Sequence, residues 1–156
     1  MKKIWITGAS SGIGKALALK FAKEGWQVAA SARREQLLNE ISESNKNIHS
    51  FPLDVTDSEK CKEVFNQIKE KFQEIDISIF CTGMHDPKSE KKLNLESINK
   101  IMNVNFFGTI NSVNAVYDYY REKKYGHISI VSSVAGYRGL PTGGAYCASK
   151  SALTTF

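Results

Sequence analysis

At 156 residues, with 42% hydrophobic and 24% charged side chains, the chain has the size and composition of one globular domain; a domain of about 150 residues hides about 68–70% of its unfolded surface. The formal charge of +5 is carried by scattered lysines, without the basic run that would argue for a nucleic-acid surface. No apolar stretch is long enough to span a membrane, and Ile4-Trp5-Ile6 is too short for a signal-peptide core. Cys61, Cys81 and Cys147 are odd in number and fit no metal spacing, so they read as reduced thiols of a cytoplasmic protein with no metal site.

In chain order, Ile4–Ile6 is β-branched and aromatic, a buried strand. A glycine-rich turn follows. Ile13, Leu17 and Phe21 then recur at steps of four and predict a helix whose buried stripe they form, ending near Gly25. Residues 26–32 read as a second strand, 34–44 as a second helix and 48–53 as a third strand. Thr56 or Asp57 caps a third helix, with Val64, Phe65, Ile68 and Phe72 inward. Residues 77–81 form a fourth strand and 84–94 a polar loop. Residues 95–123 are helical, in two pieces broken near Asn103–Asn105. A fifth strand over 127–132 leads into a loop over 133–145, and a last helix starts near Tyr146. Five alternations of apolar strand and helix predict an α/β fold with a doubly wound parallel sheet, the Rossmann arrangement. Ligands of such a sheet bind at the carboxyl ends of its strands.

The turn Thr7-Gly8-Ala9-Ser10-Ser11-Gly12-Ile13-Gly14 lies between a strand and a helix, the setting a phosphate loop requires. Gly8 allows the tight turn, Gly12 lets backbone approach a pyrophosphate, and Gly14 lets the helix pack on the sheet. The helix N-terminus supplies free N–H groups and positive potential. This spacing, G-x-x-x-G-x-G, resembles the cofactor loop of the classical short-chain dehydrogenases/reductases (SDR), and the likeness runs strand by strand along the whole chain. Where the second strand ends, a carboxylate would suit a free ribose 2′-hydroxyl. The sequence has Ala32, Arg33 and Arg34 instead. Guanidinium groups favour a 2′-phosphate, hence NADP(H) in preference to NAD(H). Arg33 is the preferred contact, with Arg34 solvated at the helix start; Ser10 and Ser11 add hydroxyl donors. Asp54-Val55 resembles the family's pair beside the adenine, although Asp54 also suits a plain turn.

Tyr146 and Lys150 stand at i, i+4 and share a helix face. A tyrosine titrates near ~10; a neighbouring cation stabilises its phenolate and brings it towards the range useful for proton transfer. By resemblance, Tyr146 is the general acid/base, and Lys150 tunes it and binds the nicotinamide ribose. Ser133, with Ser132 as its competitor, holds the substrate oxygen. Asn105, with Asn103 as the alternative, holds a water of the proton relay. The family's Asn-Asn-Ala-Gly after the fourth strand is replaced by Phe80-Cys81-Thr82-Gly83. Gly83 is kept at the cofactor edge, while the loss of the asparagines puts local sheet stability in question. Cys81 reads as packing, His85 as solvated, and His49 and His127 as flanking strands without a ligand cluster.

The resemblance implies an oxidoreductase moving a hydride between NADP(H) and a small carbonyl or alcohol, with no nucleic-acid or membrane partner, and a homo-oligomer for the full-length protein. The competing readings are a non-catalytic NADP-binding sensor, which would be expected to lose Ser133, Tyr146 or Lys150, an inactive fragment, and a sugar-nucleotide epimerase or dehydratase, which usually carries a different glycine spacing. Relatives of this kind run past residue 156. Residues 1–156 are therefore expected to be the N-terminal part of a longer domain, cut in a last helix of about two turns, with the fifth strand as an exposed edge.

Overall fold

The computed structural model describes residues 1–87 and 92–156. The middle of the expected polar loop, residues 88–91, lies outside the described residues. The strands are β1 (Lys3–Thr7), β2 (Gln27–Ser31), β3 (Ile48–Ser50), β4 (Ile77–Phe80) and β5 (His127–Ile130). The helices are α1 (Gly12–Lys23), α2 (Glu35–Ser44), α3 (Ser58–Phe72), α4 (Leu95–Met102), α5 (Gly108–Lys123) and α6 (Gly144–Thr155). All strand pairs are parallel, in the order β3-β2-β1-β4-β5. This is the doubly wound order, and its direction reverses between β1 and β4.

Strand alternation divides the core between the two sheet faces. Trp5 points to one side, where it stacks on Phe65 at 5.6 Å and meets Phe80 edge-on at 5.5 Å, among side chains of α3 and α5. Ile4 and Ile6 point to the other, against Ala18, Ala22, Leu38 and Ile41 of α1 and α2. The polar edge of Trp5 is satisfied by donation to Ser31 Oγ at 2.9 Å. Phe80, where the family pattern has asparagine, is buried in this core. Apolar packing thus replaces polar cross-strand bonding at that position, and β4 still pairs on both sides.

Several expectations are corrected. The buried stripe of α1 is Gly14, Ala18 and Ala22, one position on from the expected one; Leu17 and Phe21 pack only partly, and Ile13 is 61% exposed. The cause is Gly14, whose close approach to the Gly8 carbonyl rotates the small-residue face onto the sheet. Regular β3 ends at Ser50, but Phe51 N and Leu53 N continue the ladder to Ala30 O and Ala32 O. Asp57, not Thr56, caps α3, its Oδ1 accepting from Lys60 N at 2.9 Å. The helix over 95–123 is not broken: a π-helical turn, Asn103–Phe107, joins α4 to α5. The expected loop over 133–145 contains a 3-10 turn, Val134–Gly136, packed on α6. Helix α6 starts two residues before Tyr146 and makes three turns rather than two. Strand β5 is the sheet's edge in the described residues, as expected.

Candidate active site

The β1–α1 turn crosses the carboxyl ends of β1, β2 and β4. Gly8 takes φ +69°, and a Cβ there would stand 2.9 Å from the Cys81 carbonyl and the Thr82 nitrogen; only glycine lets the tail of β4 lie against the turn. Ser11 occupies the N-cap of α1 without capping it, and the first turn has no acidic residue. The positive end of the helix is left open to an anion. A Cβ on Gly12 would meet nothing within 4 Å, so the turn borders free space. That space is a cleft of about 310 Å³. Gly8, Ser10, Ser11, Gly12, Ile13, Gly14, Arg33, Arg34, Asp54, Val55 and Gly83 all line it, as do Ala32, Leu53, Cys81, Thr82 and Val104, which sequence reasoning did not select. Ile13 is exposed because it faces this cleft.

Arg34 is not simply solvated. Its Nη2 donates to Ser10 Oγ at 3.0 Å and to Ser11 Oγ at 2.8 Å, which anchors the guanidinium to the glycine turn. Arg33 is exposed at the same rim. Asp54 serves as a turn residue while lining the cleft: its Oδ1 accepts from Thr56 N at 3.0 Å and Thr56 Oγ1 at 2.8 Å. The cleft therefore fits a dinucleotide on three observations of its own: an uncapped helix start, a glycine cradle and a guanidinium held at its edge.

Tyr146 and Lys150 do not line that cleft; Gly83 connects the two regions. A Cβ on Gly83 would stand 3.5 Å from Lys150 Nζ and 3.7 Å from Asn105 Oδ1. Lys150 is buried, donates to Val131 O at 2.9 Å, and sits 5.9 Å from the centroid of the Tyr146 ring. Burial lowers its pKa, opposed by the Cys81 thiol. The same burial pushes Cys81 up to about 11, with Lys150 opposing. Cys81 is therefore held as a thiol near neutral pH.

Asn105 is fully buried, whereas Asn103 is exposed. Its Oδ1 accepts from Met84 N at 2.7 Å; its Nδ2 donates to Met84 O at 3.0 Å and to Ser149 Oγ at 3.0 Å. Ser149 Oγ donates in turn to Tyr146 O at 2.7 Å. Both amide hydrogens of Asn105 are thus used in holding the β4 tail and the first turns of α6 together. Ser133 opens the 3-10 turn, its Oγ accepting from Ala135 N at 3.2 Å. Ser132 faces α6, donating to Lys150 O at 3.0 Å and pairing with Thr154 Oγ1 at 2.8 Å. The two serines are turned apart, as strand alternation requires.

His85 is exposed in its polar loop, as expected, but it has a neighbour that the sequence did not signal. Its ring lies over that of Tyr146, centroids 4.5 Å apart and planes inclined by 25°. No periodicity or spacing signals this contact, because it joins a loop after β4 to a helix after β5. Among the described residues no group of three His, Cys, Asp or Glu side chains is gathered as a metal site, and no helix is long and apolar enough to cross a membrane.

The parallel sheet, its switch-point cleft and the glycine turn define a doubly wound α/β fold of the dinucleotide-binding type. A family model described as short chain dehydrogenase matches residues 2–156, and the chain belongs to the short-chain dehydrogenase/reductase family. It is 34% identical over 161 aligned positions to mouse (Mus musculus) dehydrogenase/reductase SDR family member 7, covering 98% of this chain and 48% of the relative. It is also 34% identical to an NADPH-dependent 1-acyldihydroxyacetone phosphate reductase of Schizosaccharomyces pombe, covering 99% of this chain and 52% of the relative. Among solved structures it resembles ElxO with NADP bound, with a TM-score of 0.90 and 30% identity over 99% of this chain and 64% of that one. The chain thus spans about half the length of these curated relatives.

Proposed function

We propose that residues 1–156 form the NADP(H)-binding part of an oxidoreductase that interconverts a small carbonyl compound and its alcohol. The observation that carries this reading is the junction at Gly83, where the nucleotide cleft meets Asn105 Oδ1 and Lys150 Nζ, the latter 5.9 Å from the centroid of the Tyr146 ring. NADP(H), when bound, supplies or accepts the hydride. The α1 N-terminus and the glycine turn bind the pyrophosphate, and Arg34, with Arg33 beside it, takes the 2′-phosphate. The NADP-bound and NADPH-dependent relatives support that preference. Asp54 and Val55 border the adenine.

The remaining chemistry belongs to the chain's own groups. Tyr146 Oη gives a proton to the substrate oxygen during reduction and takes it back during oxidation. Ser133 Oγ, while accepting from Ala135 N–H, keeps its own hydrogen to donate to that oxygen, favouring the charge that grows on it. The Lys150 cation stabilises the phenolate and meets the cofactor ribose across Gly83. Asn105 holds the floor of the site by fixing Met84 and Ser149. The test is NADPH against NADH binding, followed by nicotinamide fluorescence, and then a carbonyl screen with Tyr146→Phe as control. Equal affinity for the two cofactors sinks the 2′-phosphate assignment, and turnover by Tyr146→Phe sinks the proton-transfer role.

A further inference from the structure

We propose that His85 is a positioning residue for Tyr146, its imidazole lying flat on the phenol and fixing the ring; this rests on the reading of Tyr146 as the acid/base. Aromatic side chains on a helix lean towards its N-terminus, over the preceding turn. Tyr146 is the third residue of α6, so almost no helix precedes it. One turn back stand Thr142, exposed and at φ +55°, and Gly143, which has no side chain. Helix α6 therefore gives the ring no support on that side. Lys150 lies 5.9 Å from the centroid and contributes charge rather than surface. The flat contact with His85, at 4.5 Å, supplies the missing wall.

The loop carrying His85 is itself held. Its neighbour Met84 is bonded through both backbone groups to the buried Asn105 side chain. Asn105 also reaches Ser149, which bonds the Tyr146 carbonyl. One buried amide thus fixes both the strand tail that presents the imidazole and the helical turn that presents the phenol. Gly143 lies beside the imidazole: a Cβ there would stand 3.7 Å from His85 Nε2, in ordinary van der Waals contact, and closer, at 3.3 Å, to Cys147 Sγ.

The test labels tyrosine with ¹³C in the 156-residue chain, assigns the Tyr146 ring resonances by their loss in Tyr146→Phe, and compares His85→Ala with His85→Phe. Ala is expected to move the Tyr146 ring resonances while the backbone amide spectrum away from the site stays native; Phe, which keeps a flat ring, retains a ring-current displacement. With NADPH and phenanthrenequinone as the carbonyl probe, Ala lowers kcat about five- to tenfold with KM within about twofold, and Phe restores kcat. Tyr146 resonances unmoved in His85→Ala overturn the proposal. So does a Phe variant as slow as Ala, or a change confined to KM, which would make His85 a substrate contact. If the wild type does not oxidise NADPH with the quinone, the proposed function fails on this probe, and the resonances alone decide the positioning role.

Discussion

Arg34 donates through one nitrogen to the hydroxyls of both Ser10 and Ser11, at 3.0 and 2.8 Å, so the guanidinium at the end of β2 is tied to the turn at the end of β1. A side chain fixed this way loses less freedom when a phosphate arrives than one free in solvent. Arg34→Ala is expected to weaken NADPH binding about 10- to 100-fold, as the loss of a charge-assisted bond of about 1.5–3 kcal/mol implies. NADH binding should change little. Arg33→Ala measured alongside shows which guanidinium dominates, and nicotinamide fluorescence titration reads both.

Replacement of Tyr146 by Phe removes one oxygen and keeps the ring against His85. NADPH affinity is expected to stay within about twofold, while the rate of carbonyl reduction falls at least 100-fold, the scale of general acid catalysis. Stopped-flow nicotinamide absorbance separates binding from turnover.

Asn105→Ala should destabilise the fold as well as the site. It leaves the half-buried Met84 N–H and C=O without their partner. A loss of about 1–3 kcal/mol is expected, below the sum for two fully buried unpaired groups at about 1–3 kcal/mol each, because water reaches this strand tail in part. Urea unfolding checks it. Asn103→Ala, on the surface of the same turn, is expected to stay within about 0.5 kcal/mol.

The buried Cys61 thiol gives a pH signature. Burial is the main cause that pushes it up to about 11 from 9.0. Its folded pKa lies above the unfolded one, so the unfolded chain ionises first as pH rises. The associated stability is present below pH 9 and is lost between about 9 and 11, by roughly 2–3 kcal/mol. The slope of the urea midpoint against pH over that window should be shallower in Cys61→Ala. A slope unchanged by the substitution would assign the effect to other groups.

The elements and their order were legible because apolar period and turn residues agree at nearly every step, and the cleft residues because a doubly wound sheet brings its strand ends to one edge. The errors arose where tertiary contact overrides period. Ile13 fits a stripe of four-residue steps, yet the contact of Gly14 with Gly8 turns α1 and leaves Ile13 facing the cleft. Arg34 looked solvated because its partners lie on a different strand-to-helix turn. His85 sits in a polar loop with no pattern at all, and only the meeting of the β4 tail with α6 gives it a neighbour.

The π-helical turn at Asn103–Phe107 has an evolutionary corollary. Such a turn holds one residue more than an α-turn. The wide turn takes up that residue locally, so the helix beyond it keeps its phase and Val113 and Val116 stay in the layer they share with Trp5 and Phe80. The extra residue is therefore not held by the packing downstream of it: a lineage that shed it would keep an ordinary helix over the same layer and would lose only the local placing of this turn.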